Sequence, residues 1–213
     1  MGNDPSVARF LPPNAPLSTF RVMTASRLGI ATTGAAGRAG GKEASGGKSG
    51  GKAGMGASKR DPVFAFSCVF RAGRAGAQTD HSSVLFDVDV PKNKMNVGTS
   101  NMHWYQLGLR NALTTPWLNN FRFTHHPDGN IPVSGAEVPE IDAMMATCVE
   151  AHRTLFPGVP IAGWDLCVVD GEPRMCLLEV NLMCNFFKGS FDKDRYFGFV
   201  EDYFTFCEAH SDK

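Results

Sequence analysis

The chain has 213 residues, 43% of them hydrophobic and 20% charged, and 21 Lys and Arg balance 21 Asp and Glu for a formal net charge of zero. That length suits one domain with an ordinary apolar core, or one large part of a bigger one, and the even charge argues against nucleic acid or an anionic membrane as a main partner. No apolar run approaches the ~18 residues of a membrane span, no secretory leader pattern opens the chain, and the six Cys form no CxxC pair, so buried free thiols in a reducing cytoplasm are expected.

Residues 17–24 mix apolar side chains with Ser and Thr and predict a first strand. Residues 34–59 are then almost entirely Gly, Ala, Lys and Ser. Such a stretch cannot bury enough surface to offset its ordering entropy, so it reads as a low-complexity, disordered insertion between two strands. Its Arg- and Ser-rich, acid-poor composition also leaves an organellar transit peptide open. Gly47-Lys48-Ser49 suggests a phosphate loop, but the spacing from Gly41 is wrong by one residue and no strand precedes it.

Residues 62–71 predict a second strand and 83–90 a third, with Phe86 and Val88 alternating against Asp87 and Asp89. Residues 91–138 are Pro-, Asn- and His-rich and hold a few weak elements. His125 and His126 are adjacent and point apart on an extended chain, which suits loop histidines better than a metal pair. Ile141, Met144, Met145, Cys148, Val149, His152 and Leu155 recur at helical spacing over 139–156, and Pro157-Gly158 stops that helix. A last helix over 193–210 carries Tyr196, Phe199, Val200, Tyr203, Phe204 and Cys207 as a core stripe.

Between the helices lies a hairpin. Residues 165–169 form one strand, Asp170-Gly171 a two-residue turn, and residues 174–181 the returning strand. Strict alternation places Met175, Leu177, Glu179 and Asn181 on one face and Cys176, Leu178 and Val180 on the other. Asp165, on the neighbouring strand, comes near Glu179 and Asn181. Two carboxylates and an amide oxygen on such a platform suit a hard cation such as Mg²⁺. An ordinary hairpin with three polar side chains facing water is the other reading.

This segment resembles the ATP-grasp ligases, whose nucleotide site ends in an Asp on one strand and a Glu-x-Asn on the next. The resemblance is nearest to the sugar-transfer-associated, or alpha-L-glutamate-ligase-like, branch. Residues 19–24, Val69-Phe70-Arg71 with Thr79-Asp80-His81, His126-Pro127-Asp128, Gly135 and Val138-Pro139 match its ordered motifs. His81 stands where the branch often has Asn, and no glycine pair follows it. The resemblance implies an α+β fold, the ATP-grasp C-terminal lobe, with a mostly antiparallel sheet and helices on one face. It implies Asp165, Glu179 and Asn181 as Mg²⁺ ligands and places Leu178 near the adenine of ATP. It implies catalytic roles for Arg21 and Arg71, whose guanidiniums would contact phosphate or the substrate acid. Thr24 either supports Arg21 or packs.

The implied activity is Mg·ATP-dependent formation of an acyl-phosphate from a small-molecule carboxylate, then transfer to an amine or similar acceptor. The lid lysines and Gly-rich loop of that family have no match before residue 42, and Asn3-Asp4-Pro5 resembles the tail of its hinge. The chain therefore reads as a partial ATP-grasp domain over 1–213 that lacks the N-terminal lobe. The alternative is a non-catalytic interaction or scaffold module derived from such a lobe.

Overall fold

The computed structural model describes residues 2–30, 61–78, 83–100, 122–182 and 190–210. The 34–59 insertion, Asp80, His81 and residues 183–185 lie outside the described residues. In chain order the elements are α1 (Pro5–Ala8), β1 (Thr19–Ser26), β2 (Val63–Ala72), β3 (Val84–Asp89), β4 (Lys94–Ser100), β5 (His125–His126), β6 (Ile131–Pro132), α2 (Ile141–Leu155), β7 (Ile161–Val168), β8 (Met175–Asn181) and α3 (Lys193–His210).

Six strands form one sheet in the order β4-β3-β2-β1-β7-β8, and every neighbouring pair is antiparallel. The fold is thus α+β, as expected. The sequence reading of 91–138 missed β4, a strand with only one fully apolar buried side chain, Met95, and a glycine just past its centre. No helix among the described residues is long and apolar enough to cross a membrane.

Alternation along β1 builds two cores. Phe20 and Val22 face one side, with Phe70, Phe86, Trp164 and Leu166 from the neighbouring strands. Val7 and Phe10 of the α1 region, and Ile141, Met144 and Cys148 of α2, cover that side. Phe20 and Phe70 stack with centroids 4.8 Å apart, an arrangement worth about 0.5–1.5 kcal/mol beyond burial alone. Met23 and Ala25 face the opposite side, where Phe64 and Phe66 of β2 meet Phe199 of α3, with Tyr196, Val200 and Tyr203 packed around them.

The helices therefore cover both faces, not one. The physical reason is in β1 and β2: both place apolar residues on the second face at one end, and that end needs a cover. A bulge makes the attachment possible. The β1–β2 register shifts between Met23 and Thr24 and leaves Phe66 extra. The Phe66 carbonyl then accepts the Asp192 N–H at 2.9 Å, and Asp192 caps α3 by accepting the Arg195 N–H.

The stripe read on α3 is only partly right. Phe199 is buried, but Phe204 and Cys207 are exposed. Of the other thiols, Cys68, Cys148 and Cys167 are buried and Cys176 is half-buried. Burial pushes the Cys148 thiol up to about 12, so it stays protonated at neutral pH.

Candidate functional site

At the end of the second face that α3 leaves open, four strands present polar side chains. Arg21 of β1 pairs directly with Asp165 of β7, and Asp165 pairs directly with Glu179 of β8. Arg71 of β2 lies opposite Thr19, two residues along the same face from Arg21. Asn181 is opposite Gly163. Antiparallel register thus gathers residues that are as much as 160 positions apart in sequence, 21 to 181.

Asp165 is the centre. Its side chain is 4% exposed, and both carboxylate oxygens are engaged. Arg21 grips it with two nitrogens: Nε donates to Oδ1, and Nη2 donates to Oδ2 at 2.6 Å. Arg71 Nη1 donates to the same Oδ2 at 2.7 Å. Arg21 Nη2 also stands 3.8 Å from Glu179 Oε1, and Asn181 Nδ2 donates to that oxygen at 2.9 Å. Glu179 is 59% exposed. Among the described residues two guanidiniums face two carboxylates, and this pairing makes the near-complete burial of Asp165 tolerable.

The face assignment along β8 needs correction. The β7–β8 register pairs Asp165 with Glu179 but Leu166 with Leu177, so Leu178 is an extra residue. This bulge reverses the alternation midway. Met175, Leu177 and Val180 all pack on the first core, while Leu178 is half exposed. Met175 and Leu177 thus leave the face that carries Glu179 and Asn181. The turn also differs. The Val169 N–H donates to the Arg174 carbonyl at 2.8 Å, so residues 170–173 form a four-residue loop. Pro173 has no N–H to give the ladder, and pairing can begin only beyond it.

Thr24 lies on the first face, away from Arg21. Its Oγ1 accepts from Trp164 Nε1 at 2.9 Å and meets His152 Nδ1 at 2.7 Å. It is a core polar residue. His126 is fully buried and His125 exposed, so they point apart as expected.

The sequence reading missed Asp87 as a site-face residue, although its alternation against Phe86 and Val88 signalled it. Asp87 is buried and accepts from Asn96 Nδ2 at 2.8 Å and Ser190 Oγ at 2.6 Å. It holds the chain at the entry to α3 against the sheet.

No group of three or more His, Cys, Asp or Glu among the described residues is arranged to hold a metal ion. The oxygen-rich set of Asp165, Glu179 and Asn181 has the right chemistry for Mg²⁺. Its condition is visible: three arginine N–H groups already contact Asp165, so an ion reaching that carboxylate competes with them. A cleft of about 590 Å³ lined by Arg9, Phe10, Lys94, Ile131, Pro132 and residues 134–137 shares no side chain with this cluster. Comparison of the chain with protein-family models, curated proteins and solved structures finds no match.

Proposed function

We propose that this sheet face is the phosphate-and-metal end of a Mg·ATP site in an ATP-grasp-type carboxylate ligase lobe. The observation that carries the reading is the Arg21–Asp165–Arg71 cluster, flanked on the same open face by Glu179 and Asn181. An anion entering beside the arginines gives their guanidiniums a second planar, bidentate partner. Asp165, Glu179 and Asn181 would then be the oxygen donors that hold a divalent cation. Bound Mg·ATP would supply the activated phosphoryl group. The residues of this chain would orient it, neutralise it and hold the acid next to it. Among the described residues, Leu178 offers an apolar surface for a base from one side.

A second reading has its own observation. Both oxygens of Asp165 are satisfied as the structure stands, which is the arrangement of a structural ion-pair cluster in a non-catalytic interaction module.

Titration calorimetry on the 213-residue chain separates the two. The first reading expects Mg·ATP to bind with a dissociation constant on the order of millimolar, about 4 kcal/mol, because a ligand lying on the exposed face at Glu179 buries little of its surface. Glu179→Gln should weaken that binding at least tenfold without unfolding the chain. Heat identical to buffer dilution up to several millimolar, or an unaffected Glu179→Gln, leaves the interaction module.

A further inference from the structure

The same hairpin carries two thiols that the proposed function does not use. Cys167 of β7 and Cys176 of β8 are direct register partners. Cys167 alternates with Leu166 and Val168, which both pack on the first core. Its side chain therefore points to the second face. Met175 and Leu177 flank Cys176 and also pack on the first core, so Cys176 points the same way.

Residues directly opposite in an antiparallel pair have Cα atoms roughly 4.5–5.5 Å apart, within the range a disulfide spans. The Val169 N–H bond to the Arg174 carbonyl makes 169 and 174 a hydrogen-bonded pair, so Cys167 and Cys176 form the next one; their Cα atoms stand about 5.5 Å apart, inside the disulfide range, and their Cβ atoms must close by roughly 1–2 Å. Cys167 Sγ already lies against the partner residue, 3.6 Å from the Cys176 carbonyl oxygen.

Two further features favour reaction here. Cys176 is half-buried and its Sγ lies 3.5 Å from the Pro173 carbonyl at the rim of the hairpin loop, so a small oxidant can reach it. The bulge at Leu178 begins beside the pair, after Leu166–Leu177. A bulge is where a strand pair can change its local twist at least cost, so it can absorb the closure. Cys68 and Cys148, by contrast, are buried on the opposite face.

We infer that Cys167 and Cys176 form a redox-modification site that closes to a cross-strand disulfide on exposure to a hydroperoxide. The Cys176 sulfur attacks the outer peroxide oxygen; an S–O bond forms, the O–O bond breaks and an alcohol or water leaves. The Cys167 sulfur then attacks the Cys176 sulfenic sulfur; the S–S bond forms and the hydroxyl leaves as water. Two electrons and both thiol protons pass to the hydroperoxide oxygens. The inference is independent of any ligand at Asp165 and Glu179.

The test uses the 213-residue chain carrying Cys184→Ser and Cys207→Ser, to prevent crosslinks through those thiols. After treatment with hydrogen peroxide, unfolding in the presence of N-ethylmaleimide and digestion, non-reducing mass spectrometry should find a peptide joining residues 167 and 176. The chain should lose two alkylatable thiols, and dithiothreitol should restore both. Cys176→Ser, at a half-buried position that folding tolerates, should abolish the link while near-ultraviolet circular dichroism stays native. Cys176 recovered as a sulfinate with Cys167 still alkylatable overturns the proposal. So does a treated chain in which both thiols remain alkylatable.

Discussion

Asp165 and Glu179 are neighbours on adjacent strands, yet their burdens differ. Removing the charge of Asp165 takes the buried carboxylate from two guanidiniums whose side chains are 22% and 16% exposed, a loss of about 3 kcal/mol by the behaviour of broken buried pairs. Asp165→Asn should lower the urea midpoint accordingly. Glu179 is largely in water, so Glu179→Gln should shift stability by no more than about 0.5 kcal/mol. Equal losses in the two variants would mean that Glu179 also braces the fold. The buried histidines make a separate prediction. His152 Nε2 faces the Val159 carbonyl and so carries the proton, leaving Nδ1 to accept from Thr24. His126 Nε2 faces the Gly73 carbonyl, and its Nδ1 accepts the Asp128 N–H. Both rings are thus held neutral, and burial keeps both below the ordinary imidazole value. The unfolded chain binds protons below about pH 6.5 that the folded chain refuses. Their stabilising contribution is present above that pH and is lost as the pH falls toward the lowered folded values. Thermal unfolding at pH 5.5 should therefore occur at a lower temperature than at pH 7.5, and a flat profile would show that neither ring needs its neutral form.

At the level of elements, much was readable where the period was clean. The helix over Ile141–Leu155 follows from its apolar spacing, and β1, β2 and β3 follow from alternation. The hairpin's polar residues were readable by type. What they contact was not, because Arg21, Arg71, Asp165 and Glu179 meet through a register spanning four strands. A single extra residue, Leu178, also reversed the facing of Met175 and Leu177, and periodicity cannot reveal a bulge. The side on which α3 packs was equally hidden, since it depends on which end of a two-faced strand is left apolar. β4 escaped notice for a reason that also makes it testable. Gly98 lies opposite Phe86, and a Cβ there would sit 2.7 Å from the Phe86 ring and 3.0 Å from Val84. Phe86 is fully buried beside Phe70, so the ring has little room to yield. Gly98→Ala should cost about 1–3 kcal/mol, the range for overpacking, read as a lower denaturant midpoint at unchanged slope. No loss would mean that the β3–β4 pair is looser than its register implies.

For the whole molecule, the division of the second sheet face sets what the protein can do. One end is closed by α3 and the other carries the arginine–carboxylate cluster, so the site rests on a rigid sheet and opens to solvent. The Gly- and Lys-rich residues 34–59 enter between β1 and β2, and the hairpin does not depend on them for its register. Ser26 pairs with Val63, and the Arg27 N–H donates to the Pro62 carbonyl at 2.7 Å. The two strands are therefore already closed at the root of the connection. Composition gives the segment between almost nothing to bury. Its main energetic effect should be the closure entropy of a long loop, which grows by only about 0.6 kcal/mol per doubling of length. Deleting residues 34–59 shortens that connection by nearly two doublings and should stabilise the chain by roughly 1 kcal/mol. In a domain of this size that is a rise of about 2–4 °C in the unfolding temperature. Differential scanning calorimetry on the deleted and intact chains decides the matter. A fall of several degrees would show that the segment packs on the domain, and that its composition conceals contacts the two-strand root does not need.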